Sequence, residues 1–155
     1  MRRHIDAEMP LSPDPQLLAL NQVLNTLLPI RRRRLRRCER EQHEQECQLT
    51  RTRDAAGQSR QLLEEKKLGY LQLREAFVPQ YSGVIQPLND LRETLDVEKS
   101  KRSDVIQQLQ HTHRLNEEVE QQQEQLSAAQ LAVQRCRREI EKMEYLLKQN
   151  QGDPA

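Results

Sequence analysis

Residues 88–150 read LNDLRETLDVEKSKRSDVIQQLQHTHRLNEEVEQQQEQLSAAQLAVQRCRREIEKMEYLLKQN, and this stretch contains neither proline nor glycine. Its many Leu, Glu, Gln, Lys and Arg residues are strong helix formers. Read every seventh residue, one column is mostly apolar, as in the packing seam of a coiled coil. The sequence therefore predicts a helix over 88–149 that packs along one seam. The column is Leu91, Glu98, Val105, Thr112, Val119, Leu126, Val133, Ile140 and Leu147, and seven of its nine members are apolar.

A coiled-coil seam also needs a second column beside the first. The companion positions of this helix change place along the chain, which predicts a drift in the register of the seam. They are Leu88, Leu95, Arg102, Leu109, Asn116 and Gln123, followed one place earlier by Ala129, Cys136 and Met143.

The preceding stretch, residues 30–78, also favours a helix. It contains no proline, and only Gly57 and Gly69 interrupt it, at a cost of about 1 kcal/mol each relative to alanine. Its apolar density rises along the chain, so we expect the end near the loop to be the better packed. The sparsely apolar residues 36–61 are expected to fray or to await a partner. The heptad column of this helix is Leu35, Gln42, Leu49, Ala56, Leu63, Tyr70 and Phe77.

Helix-breaking residues separate these two stretches at residues 79–87. Pro79, Gly83 and Pro87 oppose a continuous helix there. A connection this short makes the two helices antiparallel neighbours. The predicted fold is therefore all-α: a long antiparallel two-helix coiled-coil hairpin over 30–149.

The two termini are expected to lie outside the hairpin. Residues 1–29 are predicted to form a flexible N-terminal arm, which contains several prolines and then a short amphipathic helix over 16–28. Pro29 lacks an amide hydrogen, so the helix after it is expected to be either new or sharply kinked. Residues 150–155 are predicted to form a disordered tail.

Composition limits the function classes that need to be considered. Only 35% of the chain is hydrophobic and 3% aromatic, which disfavours a thick core and leaves disorder as the competing interpretation. The formal net charge is +1, so no global field draws the chain to nucleic acid or anionic lipid. No apolar run is long enough to span a bilayer, and no signal peptide is recognisable, so we expect a cytosolic protein with reduced cysteines.

The most unusual local feature is a run of arginine between residues 30 and 40. Four consecutive arginines sweep most of the circumference of a helix, so at least one must point towards a neighbouring helix. The run could be the solvated start of a helix, with the arginine stems covering apolar surface. It could instead be a docking surface for an acidic protein. The residues are Arg31, Arg32, Arg33, Arg34, Arg36, Arg37 and Arg40.

The loop end carries the second candidate protein-binding cluster. It contains the single Phe of the chain and one of its three Tyr. These side chains could fold back to cap the hairpin, or they could form a contact patch for another protein. The cluster is Phe77, Val78, Tyr81, Val84 and Ile85.

Catalytic and metal-binding patterns are weak in this sequence. Cys38, His43 and Cys47 contain metal-ligand atoms, but only His43 and Cys47 share a helical face, which disfavours a zinc site. No nucleophile and base, phosphate-binding glycine loop or carboxylate pair occurs at a spacing that a hairpin would bring together. We therefore expect a protein that is not an enzyme and that has no catalytic, cofactor or metal site.

Residues 27–41, LLPIRRRRLRRCERE, resemble the opening of the YscO–FliJ family of stalk proteins in type III secretion and flagellar export. The resemblance extends over 30–149 in helicity and composition, but residues 1–29 do not match it. It implies a central stalk, in the cytoplasm at the inner-membrane secretion apparatus, that couples a hexameric secretion ATPase to a membrane protein of the export gate. It also implies a possible role in escorting secretion chaperones, and direct insertion into the membrane is not expected.

Two other function classes fit the same residues. A generic coiled-coil scaffold or tether needs only the hairpin. A helical nucleic-acid-binding protein could use the arginine run, although aromatic residues that could stack on bases are absent nearby and acidic residues follow at once.

Overall fold

A computed structural model of the chain describes residues 14–81 and 88–151, with the side chains of 77–81 left out. It contains helix α1, Pro15–Tyr81, and helix α2, Leu88–Asn150. The two helices pack against each other, and no strand occurs among the described residues. The predicted all-α helical hairpin is therefore confirmed.

The chain divides into two compact units, and each unit contains part of both helices. We call the described residues among 1–43 and 128–155 the terminal unit, and the described residues among 44–127 the central unit. Within each unit, contacts run from later α1 residues to earlier α2 residues. Asn21 contacts Asn150 whereas Arg31 contacts Glu139 in the terminal unit, which is the pattern of an antiparallel pair.

Helix α1 begins at Pro15, one residue before the start predicted for the helix over 16–28. Asp14 precedes it, and its Oδ1 accepts a hydrogen bond from the backbone N–H of Gln16 at 3.0 Å. Pro15 occupies the first helical position, where a missing amide hydrogen costs nothing. Asp14 is thus an N-cap that satisfies one of the free donors at the start of the helix.

Of the two outcomes expected at Pro29, a new helix or a kink, the new helix is wrong. Helix α1 passes through this position without interruption, so residues 16–28 are the beginning of α1 and not a separate helix. Because Pro29 has no amide hydrogen, the carbonyl of Asn25 lacks its helical hydrogen bond. Both residues are exposed, so water can satisfy that carbonyl. The burial of Leu24 and Leu28 on the opposite side offsets the cost of the proline.

The predicted loop and tails coincide only partly with the described residues. Helix α1 continues through Pro79 to Tyr81, so the connection predicted over 79–87 begins later than expected. Residues 82–87, 1–13 and 152–155 lie outside the described residues, and the predictions of a flexible arm and a disordered tail fall largely on them.

An apolar cluster forms the core of the terminal unit. Its buried members are between 5% and 8% exposed. Val133 is the most deeply buried large side chain, at 2% exposed. Burying such a side chain contributes roughly 1.5–3 kcal/mol. The cluster consists of Leu24, Leu28, Ile140 and Leu147, with Leu35 and Met143 packed against it.

The core of the central unit combines apolar and polar residues. Its polar members are Ser59 of α1 and Gln108 and Thr112 of α2, which are all buried. Gln108 Nε2 donates to Ser59 Oγ at 2.8 Å, and Thr112 Oγ1 donates to the Gln108 carbonyl at 2.8 Å. Since Thr112 has only one hydroxyl hydrogen, Ser59 Oγ must donate in the 2.6 Å contact with Thr112 Oγ1. The apolar residues are Leu49, Ala56 and Leu63.

The predicted main columns of both helices are confirmed by burial. Every member of the α2 column from Leu91 to Leu147 is buried or partly buried, as is every member of the α1 column whose side chain is described. The predicted register drift in α2 is wrong. Leu95 and Leu109 are each 49% exposed. The companion column keeps one heptad register from Gln108 onwards: Gln108, Leu115, Gln122, Ala129, Cys136 and Met143 are all buried or partly buried.

The expectation that the loop end packs best is also wrong for the described residues. No α2 side chain between 88 and 107 is buried, whereas Leu49 and Ala56 are buried within the stretch 36–61, which is helical throughout. Apolar density was a poor guide because Leu68 and Leu71 lie off the seam and are 57% and 51% exposed.

Candidate protein-binding surface

The arginine run divides into two groups with different roles. Arg31 lies on the seam side of α1 and its Nη1 donates to Glu139 Oε2 of α2 at 3.1 Å. Beside it, Arg32 Nη2 donates to Glu144 Oε1 at 3.2 Å. The side chain of Arg31 is 32% exposed, so it is the arginine that the packing of α2 forces to turn inwards. Arg31 and Arg32 thus pair with α2, and their protein-binding role stays a prediction.

The remaining arginines of the run point away from α2. Arg33, Arg36, Arg37 and Arg40 have the spacing i, i+3, i+4 and i+7, which places them on one face of α1. We call these four residues the arginine stripe. All four are exposed, and none has an ion pair or hydrogen bond to another described residue. Arg34, on the flank of the stripe, is exposed and unpaired in the same sense.

Such an arrangement is electrostatically unfavourable for the isolated helix. Each like-charged pair at this spacing costs roughly 0.2–0.5 kcal/mol. The stripe is partly neutralised by Glu41 and Glu44, which lie four residues after Arg37 and Arg40. It presents a planar array of donors that matches the geometry of carboxylates.

Helix α2 adds charges that sequence reasoning missed. Arg135 and Arg138 belong to the same unit, are exposed, and have no ion pair within the described parts of the chain. Arg137 lies 3.9 Å from Glu39 of α1. These residues could have been found by marking the solvent-facing heptad positions of α2 and asking which carry arginine.

The second predicted cluster lies where side chains are not described. Phe77, Val78 and Tyr81 belong to the last turns of α1, and their side chains are outside the described set. Val84 and Ile85 lie outside the described residues altogether. The protein-binding role of this cluster stays a prediction.

Metal-binding groups and membrane spans are both absent from the described residues. They contain no group of three or more His, Cys, Asp and Glu side chains that could hold a metal ion. Neither described helix has a segment that is apolar enough to cross a membrane.

Comparisons with protein-family models, curated proteins and solved structures found no match for this chain.

Proposed function

We propose that this chain is a non-enzymatic coupling protein that docks through its arginine stripe onto an acidic surface of a hexameric type III secretion ATPase. The observation that carries the proposal is the division of the seven arginines: two bind α2, and five are exposed without an ion pair or hydrogen bond to another described residue, four of them on one face. The resemblance of residues 27–41 to YscO–FliJ stalk proteins supplies the identity of the partner.

Electrostatics favours a protein partner with clustered carboxylates. A partner that neutralises the stripe reduces the like-charge repulsion within it and also gains charge-assisted hydrogen bonds. Arginines at an interface raise the rate of association with an acidic patch, and this attraction weakens as salt screens the charges.

The coupling role needs a second contact. We assign it to Phe77, Val78, Tyr81, Val84 and Ile85, which would meet an export-gate membrane protein through apolar side chains. One aromatic side chain buried at a protein–protein interface can contribute about 2 kcal/mol or more to the binding free energy. Secretion chaperones are further candidate partners, and the site of action would be the cytoplasmic face of the inner membrane.

The test is a charge reversal with a matched control. Arg33→Glu, Arg36→Glu and Arg37→Glu are combined in one variant. Arg51→Glu, Arg53→Glu and Arg60→Glu form the control, since these three arginines are also exposed and unpaired on α1 but belong to the central unit. Affinity for the hexameric ATPase is measured by biolayer interferometry at several salt concentrations, together with helicity by circular dichroism.

We expect the stripe variant to bind the ATPase at least tenfold more weakly, which corresponds to about 1.4 kcal/mol. The control should bind normally, and both variants should keep their helicity. Equal weakening by both variants would mean that the ATPase responds only to net charge, and an unchanged affinity would remove the stripe from the interface. Tighter binding to duplex DNA than to the ATPase would favour the nucleic-acid alternative.

A further inference from the structure

Two cysteines from distant parts of the chain meet in the terminal unit. Cys38 on α1 and Cys136 on α2 are 98 residues apart, and their Sγ atoms lie 3.8 Å from each other in hydrogen-bond contact. Cys136 is 6% exposed, whereas Cys38 is only partly buried. The pair therefore combines close approach with access from solvent on one side.

The packing of the seam holds this arrangement in place. Cys136 belongs to the companion column of α2, between Ala129 and Met143. Arg31, one heptad before Cys38, is tied to Glu139, so the neighbouring turns of both helices are already in register. A disulfide bond needs sulfur atoms about 2.05 Å apart, so the two Sγ atoms, now 3.8 Å apart, must approach each other further for the bond to form.

We propose that Cys38 and Cys136 form a reversible intramolecular disulfide that locks α1 to α2 in the terminal unit under oxidising conditions. The oxidant class is a small-molecule disulfide such as oxidised glutathione. This inference does not rest on the docking function proposed above.

The chemistry proceeds by two thiol–disulfide exchanges. Cys38 loses its proton, and its thiolate attacks one sulfur of oxidised glutathione. A mixed disulfide forms, and one glutathione thiolate leaves and takes up a proton. Cys136 then loses its proton and attacks the Cys38 sulfur, which releases the second glutathione. Two electrons pass from the cysteine pair to oxidised glutathione, so that one protein disulfide and two reduced glutathione molecules result.

The surroundings of Cys38 slow the first exchange at neutral pH. Burial is the main cause that raises the pKa of the Cys38 thiol, followed by its hydrogen bond to Cys136 and the charge of that residue. On α1, Arg34 lowers this pKa and Glu41 raises it. Since the thiolate is the attacking species, oxidation at neutral pH should be slow and should accelerate as the pH rises.

The lock would have a large effect on stability, because it closes a loop of about 100 residues in the unfolded chain. The melting temperature of the oxidised protein should rise by roughly 10 °C. Separation of the two helices within the terminal unit would then require reduction.

The experiment uses the purified full chain with an excess of oxidised glutathione. Before alkylation, intact mass should show the loss of two hydrogen atoms. After alkylation the oxidised chain should carry one alkyl group instead of three, and peptide mapping should join the Cys38 and Cys136 peptides. Cys38→Ala and Cys136→Ala should each abolish the linkage, whereas Cys47→Ala, which removes the third cysteine of the chain, should keep it. Dithiothreitol should return both the mass and the melting temperature to the starting values.

The mapping of the unmutated chain decides the matter even if an alanine variant folds poorly, and circular dichroism of each variant identifies that case. A linkage that involves Cys47, a linkage between two chains, or a stable glutathione adduct on Cys38 without ring closure would each overturn the proposal. An oxidised chain that melts at the temperature of the reduced one would overturn the lock.

Discussion

In the terminal unit the seam between the helices is filled by branched aliphatic side chains such as Ile140, whereas in the central unit it contains a buried hydrogen-bonded layer of Ser59, Gln108 and Thr112. The two units share one heptad pattern but differ in what fills it. Aliphatic packing supplies stability. A satisfied polar layer adds little net stability but disfavours other registers, because a shifted helix would leave its polar groups unpaired.

The difference extends to polar atoms that lack partners. In the central unit, Gln45 Oε1 and Gln122 Oε1 are buried and have no hydrogen-bond partner within the described residues. A buried acceptor left unsatisfied costs about 1–3 kcal/mol. We therefore expect the terminal unit to contribute more stability per residue than the central unit.

The largest effect is expected from Ile140→Ala in the terminal unit. Ile140 is 7% exposed and belongs to the apolar cluster, so its truncation should lower the free energy of unfolding by about 2–5 kcal/mol. Ile106→Ala is the matched control, since Ile106 is 48% exposed and should cost well below that range. Urea titrations followed by circular dichroism measure both. Equal costs for the two variants would mean that the terminal cluster contributes no special stability.

A smaller effect is expected from Ser59→Ala in the central unit. The substitution removes the acceptor of Gln108 Nε2 at 2.8 Å and should cost about 1–3 kcal/mol, because the amide is left buried with poorer bonding. Replacing the whole layer, as Ser59→Ala with Gln108→Leu and Thr112→Val, should recover most of that loss. Chemical denaturation compares the two variants, and a triple variant that is less stable than the single one would show that the layer itself stabilises the fold.

The smallest effect is expected from Tyr70→Phe, which removes a partly exposed bond between the helices. Tyr70 Oη donates to Glu98 Oε1 at 2.7 Å, and this bond is the main cause that raises the pKa of Tyr70. Because the folded pKa lies above the unfolded value of about 10, the stabilisation is present below pH 10 and is lost as the pH rises through the folded pKa.

Thermal melts at a series of pH values test this. The variant should melt slightly below the unmutated chain at neutral pH, and the gap should close at strongly alkaline pH. A gap that stays constant through the alkaline range would show that the hydroxyl of Tyr70 does not act through Glu98. Glu98→Gln is a second probe, because it keeps an acceptor for Tyr70 but removes the charge.

The sequence by itself determined the two helices and their main columns. Heptad spacing depends only on the period of the helix, so the column from Leu91 to Leu147 could be identified without knowing its partner. The same spacing also placed Arg33, Arg36, Arg37 and Arg40 on a common face, because residues seven or fewer apart on a helix have fixed relative directions.

Only the tertiary structure decided which flank of the main α2 column packs against α1. Gln108 and Leu109 flank that column on opposite sides, and hydrophobicity favoured Leu109. Gln108 is the buried one of the two, because Ser59 of α1 lies on its side of the column and accepts a hydrogen bond from it. A single helix contains no information about the direction from which its partner approaches.

The pairing of charges and thiols was hidden from the sequence for the same reason. Nothing in the spacing of Cys38, Cys47 and Cys136 selects two of the three, and nothing in the arginine run singles out Arg31 as the residue that turns inwards to Glu139. These contacts depend on the relative register of the two helices, which brings together residues about 100 positions apart in sequence. Many seam contacts together set that register, so it can be determined only from the packed structure.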